Sequence, residues 1–182
     1  MSKLLKRILT QKVVTEPLPP AAGLEVVGPR LAEAVRRRFA GALAVRHLDA
    51  GSCNGCELEI HACNNPYYDL ERFGVHFVAS PRLADLLLVT GPLTRNMKIA
   101  VERTFAAVPA PKRVVAVGGC ARDGGPFAPS YAVLGGVDAV LPVDVWVPGC
   151  PPSPAAIIRG ILAAVEGSAA SAVASRAPSA GR

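Results

Sequence analysis

The 182-residue sequence lacks a hydrophobic run long enough to cross a membrane, and it has few aromatic residues. A membrane-spanning helix needs about 20 largely apolar residues in succession. Aromatic residues make up 5% of the chain and are not interleaved with its basic residues, which argues against nucleic-acid binding. The chain also has neither a G-x-G-x-x-G nor a G-x-x-x-x-G-K-[S/T] segment, so nothing indicates a nucleotide site.

Disulfide bonds are not expected, because the chain has five cysteines, an odd number. Residues 1–10 are basic and partly apolar, but they lack the apolar core and the small-residue cleavage site of a signal peptide. We therefore expect a reducing, cytosolic setting.

Positive charge is concentrated near the amino terminus. Residues 1–46 contain nine Lys or Arg and three Glu, whereas residues 47–182 contain eleven residues of each sign. Leu4, Leu5, Ile8 and Leu9 are spaced as in an amphipathic helix. We expect residues 1–42 to form a basic extension with a docking helix, placed against a partner subunit or a membrane face.

The rest of the chain alternates short apolar segments with helical ones, which predicts an α/β fold with a mostly parallel sheet covered on both faces. We expect one domain over residues 43–166 and a disordered Ala/Ser-rich tail over 167–182. The predicted strands are 43–48, 75–78, 86–90, 114–117 and a segment within 139–147. The predicted helices are 30–40, 57–64, 68–73, 94–107 and 154–166.

Four cysteines lie in Gly- or Pro-marked loops: Cys53, Cys56, Cys120 and Cys150. The loops follow predicted strands, and ligands of parallel sheets bind at the carboxyl ends of the strands. Four convergent thiolates favour a [4Fe-4S] cluster and hence electron transfer. A zinc site or a redox-active C-x-x-C pair are the alternatives.

Other candidate residues lie close to the first cysteine loop. Glu57 is interpreted as a carboxylate in the first turn of a helix, favoured by the helix dipole. Glu59, beside apolar neighbours, is a candidate proton relay or subunit-interface residue. Cys63 is interpreted as a buried thiol, and the three histidines as surface or packing residues.

The sequence resembles one family over about residues 43–166. It is similar to the small subunits shared by respiratory complex I, an NADH-quinone oxidoreductase (its NuoB-like, 20 kDa subunit), and the membrane-bound, energy-converting [NiFe] hydrogenases. The similarity rests on GSCNGCELE at 51–59, YDLERFG at 68–74, SPR at 80–82, DLLLVTG at 85–91, GC at 119–120 and PVDVWVPGCPP at 142–152. The complex I subunit typically has two adjacent cysteines in its first motif. The spacing of Cys53 and Cys56 instead resembles the hydrogenase branch, including formate hydrogenlyase-type (hydrogenase-4 type) subunits.

This resemblance implies a flavodoxin-like sheet of about four strands with one [4Fe-4S] cluster on Cys53, Cys56, Cys120 and Cys150. It also implies an electron-transfer subunit of an oxidoreductase, peripheral on the cytoplasmic side of the inner (cell) membrane. Its expected partners are a hydrogenase or complex I-like large subunit that contains the H2/H+ active site, a ferredoxin-like iron–sulfur subunit and membrane-arm subunits. Glu59 matches a glutamate that the family has near the cluster, and Asp69 and Arg72 match a segment near the interface. The alternatives are a NuoB-like subunit that passes electrons to quinone and a zinc-stabilised assembly subunit.

Overall fold

The computed structural model describes residues 24–167 as an α/β fold built on a parallel five-stranded sheet. The strands of this sheet are Leu43–Asp49 (β1), Val75–Phe77 (β2), Leu86–Thr90 (β3), Arg113–Val117 (β5) and Val145–Val147 (β7). A separate antiparallel pair is formed by Leu93–Thr94 (β4) and Val133–Gly135 (β6). The helices are Leu24–Phe39 (α1), Gly55–Ala62 (α2), Lys98–Ala107 (α3), Gly119–Asp123 (α4) and Pro154–Glu166 (α5).

The strand order β2-β1-β3-β5-β7 confirms the predicted flavodoxin-like topology. Numbered within the sheet alone, it is 2-1-3-4-5, in which the chain reverses direction across the sheet between β1 and β3. Such a switch point is where ligands of open α/β sheets bind.

The central strand shows why the sheet needs helices on both faces. Every residue of β3 is buried. Leu86 and Leu88 pack in one core, with α1 and α5, whereas Leu87 and Val89 pack in the other, with α3 and α4. Side chains of a strand alternate between its faces, so a continuous apolar run such as this requires cover on both sides.

The structure corrects the prediction of about four strands, because the sheet has five. The five segments predicted individually as strands do match these five strands, and the two at the edges of the sheet are only three residues long. The predicted helix 94–107 begins at Lys98, and its first residue instead belongs to β4. Thr94 is held there because both its backbone N–H and its hydroxyl donate to the carbonyl of Ala50.

Two further helix predictions had inaccurate bounds. The predicted helix 30–40 begins earlier, at Leu24, and α1 continues through Pro29, although proline usually ends or kinks a helix. Packing of Leu31 and Val35 in the core explains why this helix forms. Of the predicted helix 68–73, only Leu70–Phe73 is helical, as a 3₁₀ turn.

Two predictions lie outside the described residues: the basic amphipathic helix and the tail beyond Gly167. Within residues 24–167, none of the helices is long and apolar enough to span a bilayer.

Helix α5 provides a test of the larger core. Ile161 is fully buried, whereas Ile99 on α3 is 59% exposed. Removing a buried isoleucine side chain leaves a cavity, so we expect Ile161→Ala to lower the free energy of unfolding by about 2–5 kcal/mol. Ile99→Ala, measured by the same urea titration, should change it by roughly 0.5 kcal/mol or less. Equal effects of the two substitutions would contradict this packing.

Candidate functional site

The strands that precede the cysteine loops end together at one edge of the sheet. Asp49 of β1 pairs with Thr90 of β3, and Thr90 pairs with Val117 of β5. Val117 in turn pairs with Val147 of β7. These four residues form one row across the sheet, which we call the terminal row. The segments with the cysteines follow it directly: Cys53 and Cys150 lie in loops, as predicted, whereas Cys56 lies in the first turn of α2 and Cys120 lies in α4.

Backbone contacts hold these loops close together. The N–H of Gly118 donates to the carbonyl of Val147, and the N–H of Gly119 donates to that of Gly149, both at 2.8 Å. On the other side, a Cβ atom added to Gly91, which follows β3, would lie 2.5 Å from the backbone nitrogen of Ser52. The terminal row is therefore covered by one continuous group of loops.

Two glycines leave room for cysteine sulfur atoms. A Cβ atom on Gly118 would lie 2.7 Å from Sγ of Cys56, and one on Gly125 would lie 2.9 Å from Sγ of Cys120. Both glycines also have positive φ angles, 91° and 51°, which other residues rarely adopt. Any larger side chain would displace the sulfur or the loop.

All five cysteines are free thiols, and four of them influence one another electrostatically. Burial raises the pKa of Cys56 to about 12, with further increases from Glu57 and from Cys120, Cys53 and Cys150. The pKa of Cys120 is also raised, first by burial and then by Cys150 and Cys53. Together with the shared strand ends and the backbone contacts between the loops, these effects place the four predicted ligands in one region of the structure.

The donor set fits an iron–sulfur cluster. Four thiols with no competing disulfide lie at one edge, and Cys53 and Cys150 are exposed. Within residues 24–167, no group of three or more His, Cys, Asp or Glu side chains is arranged around a single metal-ion position. A [4Fe-4S] cluster does not need its ligands arranged around a single point, because each of the four thiolates binds a different iron atom. Metal binding would also remove the thiol protons that the raised pKa values retain.

Cys63 is separate from this group. It is fully buried in the larger core, and its thiol donates to the carbonyl of Glu59 at 3.3 Å. Burial, then the charge of Glu59, raises its pKa to about 12. Its position agrees with the interpretation as a buried thiol.

Glu57 is the residue whose surroundings the sequence analysis missed. It does lie in the first turn of α2, but its side chain is buried, with 7% of the residue exposed. The hydroxyl of Thr90 donates to its Oε1, and its Oε2 has no hydrogen-bond partner in the described structure. The signal available in the sequence was a carboxylate directly after Cys56, combined with a lone threonine at the end of an apolar strand.

His47 extends this contact. Its Nε2 lies 2.9 Å from the Thr90 hydroxyl oxygen and 3.6 Å from Oε1 of Glu57. Since the threonine proton is donated to Glu57, the same oxygen accepts from the Nε2–H of His47. Burial lowers the pKa of His47, an effect that outweighs the opposing influence of Glu57. The imidazole is therefore neutral near pH 7.

Glu59 has different surroundings from Glu57. It is half-buried, and its charge raises the pKa of Cys63 but is not among the causes for Cys56. Its role as a proton relay stays a prediction. Of the two interface candidates, Arg72 donates to the carbonyl of Tyr67, and Asp69 precedes the 3₁₀ turn.

A cavity of about 560 Å³ lies beside the site, between β1 and α2. Its charged and titratable lining consists of Arg46, His47, Asp49, Glu57 and His61. The buried Nε of Arg46 has no hydrogen-bond partner among the described residues. Glu57 therefore lies between this cavity and the cysteine loops.

Comparison with known proteins relates the chain to redox complexes. The family described as NADH ubiquinone oxidoreductase, 20 kDa subunit, matches residues 53–164. A probable membrane-bound hydrogenase subunit, mbhJ, of Pyrococcus furiosus is 49% identical over 67% of this chain and 73% of its own length. Formate hydrogenlyase subunit 7 of Escherichia coli is 48% identical over 66% of this chain, a match that spans about half (48%) of that relative.

One solved structure supports the same relationship. A chain of the membrane-bound sulfane sulfur reductase, an archaeal respiratory membrane complex, superposes with a TM-score of 0.62 at 34% identity. The match covers 75% of this chain and 74% of that one.

Thiol reactivity tests the electrostatics of the iron-free chain. A raised pKa keeps the thiol protonated at pH 7, and only the thiolate reacts with iodoacetamide. We expect exposed Cys53 and Cys150 to be alkylated first, and Cys56 slowly, with a rate that rises about tenfold per pH unit from pH 7 to 10. Mass spectrometry of timed digests would give these rates, with buried Cys63 as the slow reference. Labelling of Cys56 as fast as Cys53 at pH 7 would contradict the assigned environment.

Proposed function

The chain belongs to the family of the 20 kDa subunit of NADH ubiquinone oxidoreductase, and from this we propose that it is the electron-transfer small subunit of a complex I-related membrane-bound [NiFe] hydrogenase. In this proposal Cys53, Cys56, Cys120 and Cys150 hold one [4Fe-4S] cluster. The observation that carries the proposal is the convergence of these four thiols on the terminal row, at the carboxyl ends of β1, β5 and β7.

The chain's own residues suit this role. When bound, a [4Fe-4S] cluster supplies reversible one-electron transfer. Gly118 and Gly125 leave space for the ligand sulfurs, and the loop backbone surrounds them. Exposure of Cys53 and Cys150 places this edge at the surface, beside Leu58, which is 64% exposed.

The hydrogenase branch is favoured over a quinone-linked complex by two observations. The two cysteines of the first motif are separated by Asn54 and Gly55, the spacing that resembles the hydrogenase branch. In addition, two relatives at 48% and 49% identity are named as hydrogenase or formate hydrogenlyase subunits. The H2/H+ active site would lie on the large subunit, so this chain would relay electrons between that subunit and a ferredoxin-like iron–sulfur subunit.

The proposed location is peripheral, on the cytoplasmic side of the cell membrane, against membrane-arm subunits. A NuoB-like subunit that delivers electrons to quinone is the second candidate, supported by the family to which the chain belongs. A zinc-stabilised assembly subunit would hold the same four thiols but would lack visible absorbance and redox activity.

Substitution of the cysteines tests the cluster directly. We expect Cys53→Ala, Cys56→Ala, Cys120→Ala and Cys150→Ala each to remove the iron–sulfur absorbance of this subunit and its EPR signal in the reduced state, because each iron loses its thiolate. Cys63→Ala is the matched control and should retain both. An intact cluster in Cys120→Ala, or zinc in place of iron in the unmodified protein, would refute the assignment.

Substitution of Glu59 tests the proposed proton relay. Glu59→Gln keeps the shape and hydrogen-bonding capacity of the side chain but cannot carry a proton. We expect the cluster and the assembly of the complex to be retained, with proton-coupled turnover slowed and electron delivery to an artificial acceptor less affected. Turnover equal to that of the unmodified complex from about pH 6 to 8 would leave Glu59 with a structural role.

A further inference from the structure

Glu57 combines three properties that no other carboxylate in residues 24–167 shares. It is adjacent to Cys56 in the chain, it is buried, and its orientation is fixed by the hydrogen bond from Thr90. Thr90 is itself fully buried and lies in the terminal row, at the switch point. The carboxylate is thus held by the last residue of β3, which belongs to the same terminal row that the cysteine loops follow.

No positive charge in the described structure neutralises this carboxylate. His47 is its nearest titratable neighbour, and burial favours the neutral imidazole. Arg46 lines the same cavity but forms no ion pair or hydrogen bond with Glu57 among residues 24–167. The contact from Thr90 is a hydrogen bond from a neutral group, which positions the charge without cancelling it.

The position of Glu57 brings its carboxylate close to the proposed ligands. It follows Cys56 directly in the chain, and the contact from Thr90 holds its buried side chain at the strand end that precedes the cysteine segments. A negative charge beside a ligand opposes the addition of further negative charge to a group bound there, because like charges repel.

We propose that Glu57 is a positioning residue for redox chemistry: its fixed negative charge beside Cys56 lowers the reduction potential of the cluster. This inference rests on the proposed function. In the relay step the cluster accepts one electron from a partner iron–sulfur group and passes one electron on, while Glu57 exchanges neither an electron nor a proton. The reduced cluster bears one more negative charge, so a nearby carboxylate raises the energy of that state relative to the oxidised one.

A purely structural role makes a different prediction. If Glu57 only stabilised the first turn of α2 and bonded Thr90, glutamine would preserve most of the packing and the hydrogen bond. The cluster would then keep its potential. A measurement of the reduction potential therefore distinguishes the electrostatic role of Glu57 from the structural one, whereas detection of the cluster alone does not.

The test is an EPR-monitored redox titration at fixed pH on the complete complex, purified with all its subunits. The signal of this subunit is identified as the one missing from the Cys120→Ala complex. We expect Glu57→Gln to retain this signal and to shift its midpoint to a higher potential. Glu57→Asp, which keeps the charge, should return the midpoint most of the way to that of the unmodified complex.

Glu102→Gln is the matched control, because it removes the same charge from an exposed position on α3, outside the segments that contain the cysteines. We expect its midpoint to stay at the unmodified value. An equal shift in both variants would indicate a general effect of net charge and would overturn the specific role of Glu57.

The remaining outcomes are also decisive. A retained signal with an unchanged midpoint in Glu57→Gln overturns the inference while leaving the proposed function intact. If glutamine prevents assembly, the Glu57→Asn and Glu57→Asp pair repeats the comparison, and loss of the cluster in every amide variant would make Glu57 structural. Absence of any Cys120-dependent signal in the unmodified complex would overturn the proposed function itself.

Discussion

The common endpoint of four parallel strands is the constraint on which the rest of this protein depends. Asp49, Thr90, Val117 and Val147 pair in one row, so every loop that follows them starts at the same edge of the sheet. Three of these loops contain cysteines, and the fourth begins with Gly91 packed against Ser52. The fully buried strand β3 fixes the register of both its neighbours, β1 and β5. A shift in strand pairing would therefore move the thiols apart and would at the same time expose apolar side chains. Fold stability and the geometry of the site are therefore coupled.

Close packing around the sulfur atoms is the second requirement. Gly118 and Gly125 approach Cys56 and Cys120 so closely that an additional carbon atom would displace them. The same packing buries the thiols and raises their pKa values. Without a metal, such burial opposes the thiolate form, whereas bound iron offsets the cost by neutralising the charge. A site that disfavours free thiolates but places four thiols together is suited to a cationic metal centre.

The two glutamates after Cys56 illustrate how strongly neighbouring positions can differ. Glu57 lies toward Thr90 and His47, in the direction of the sheet, whereas Glu59 is half-buried and acts on Cys63. Residues two apart on a helix do not share a face, so each carboxylate meets a different environment. Within one turn of α2, the carboxylate of Glu57 therefore lies near the proposed ligands, whereas that of Glu59 acts on Cys63 in the core.

Local patterns in the sequence were sufficient to predict the α/β class, the five strands of the sheet, most of the helices and the three cysteine-containing segments, because apolar runs and Gly/Pro-rich turns are local signals. Family membership also followed from the cysteine-containing motifs. The β4–β6 pair and the path of α1 through Pro29 emerged only from the folded chain, since a strand of two or three residues and a proline within a helix depend on contacts with distant residues. The burial of Glu57 against Thr90 is of the same kind. The neighbours of Glu57 in the sequence predict only a polar position in a helix. The pairing of β1 with β3 is what brings the hydroxyl of Thr90, 33 residues away in the chain, into contact with its side chain.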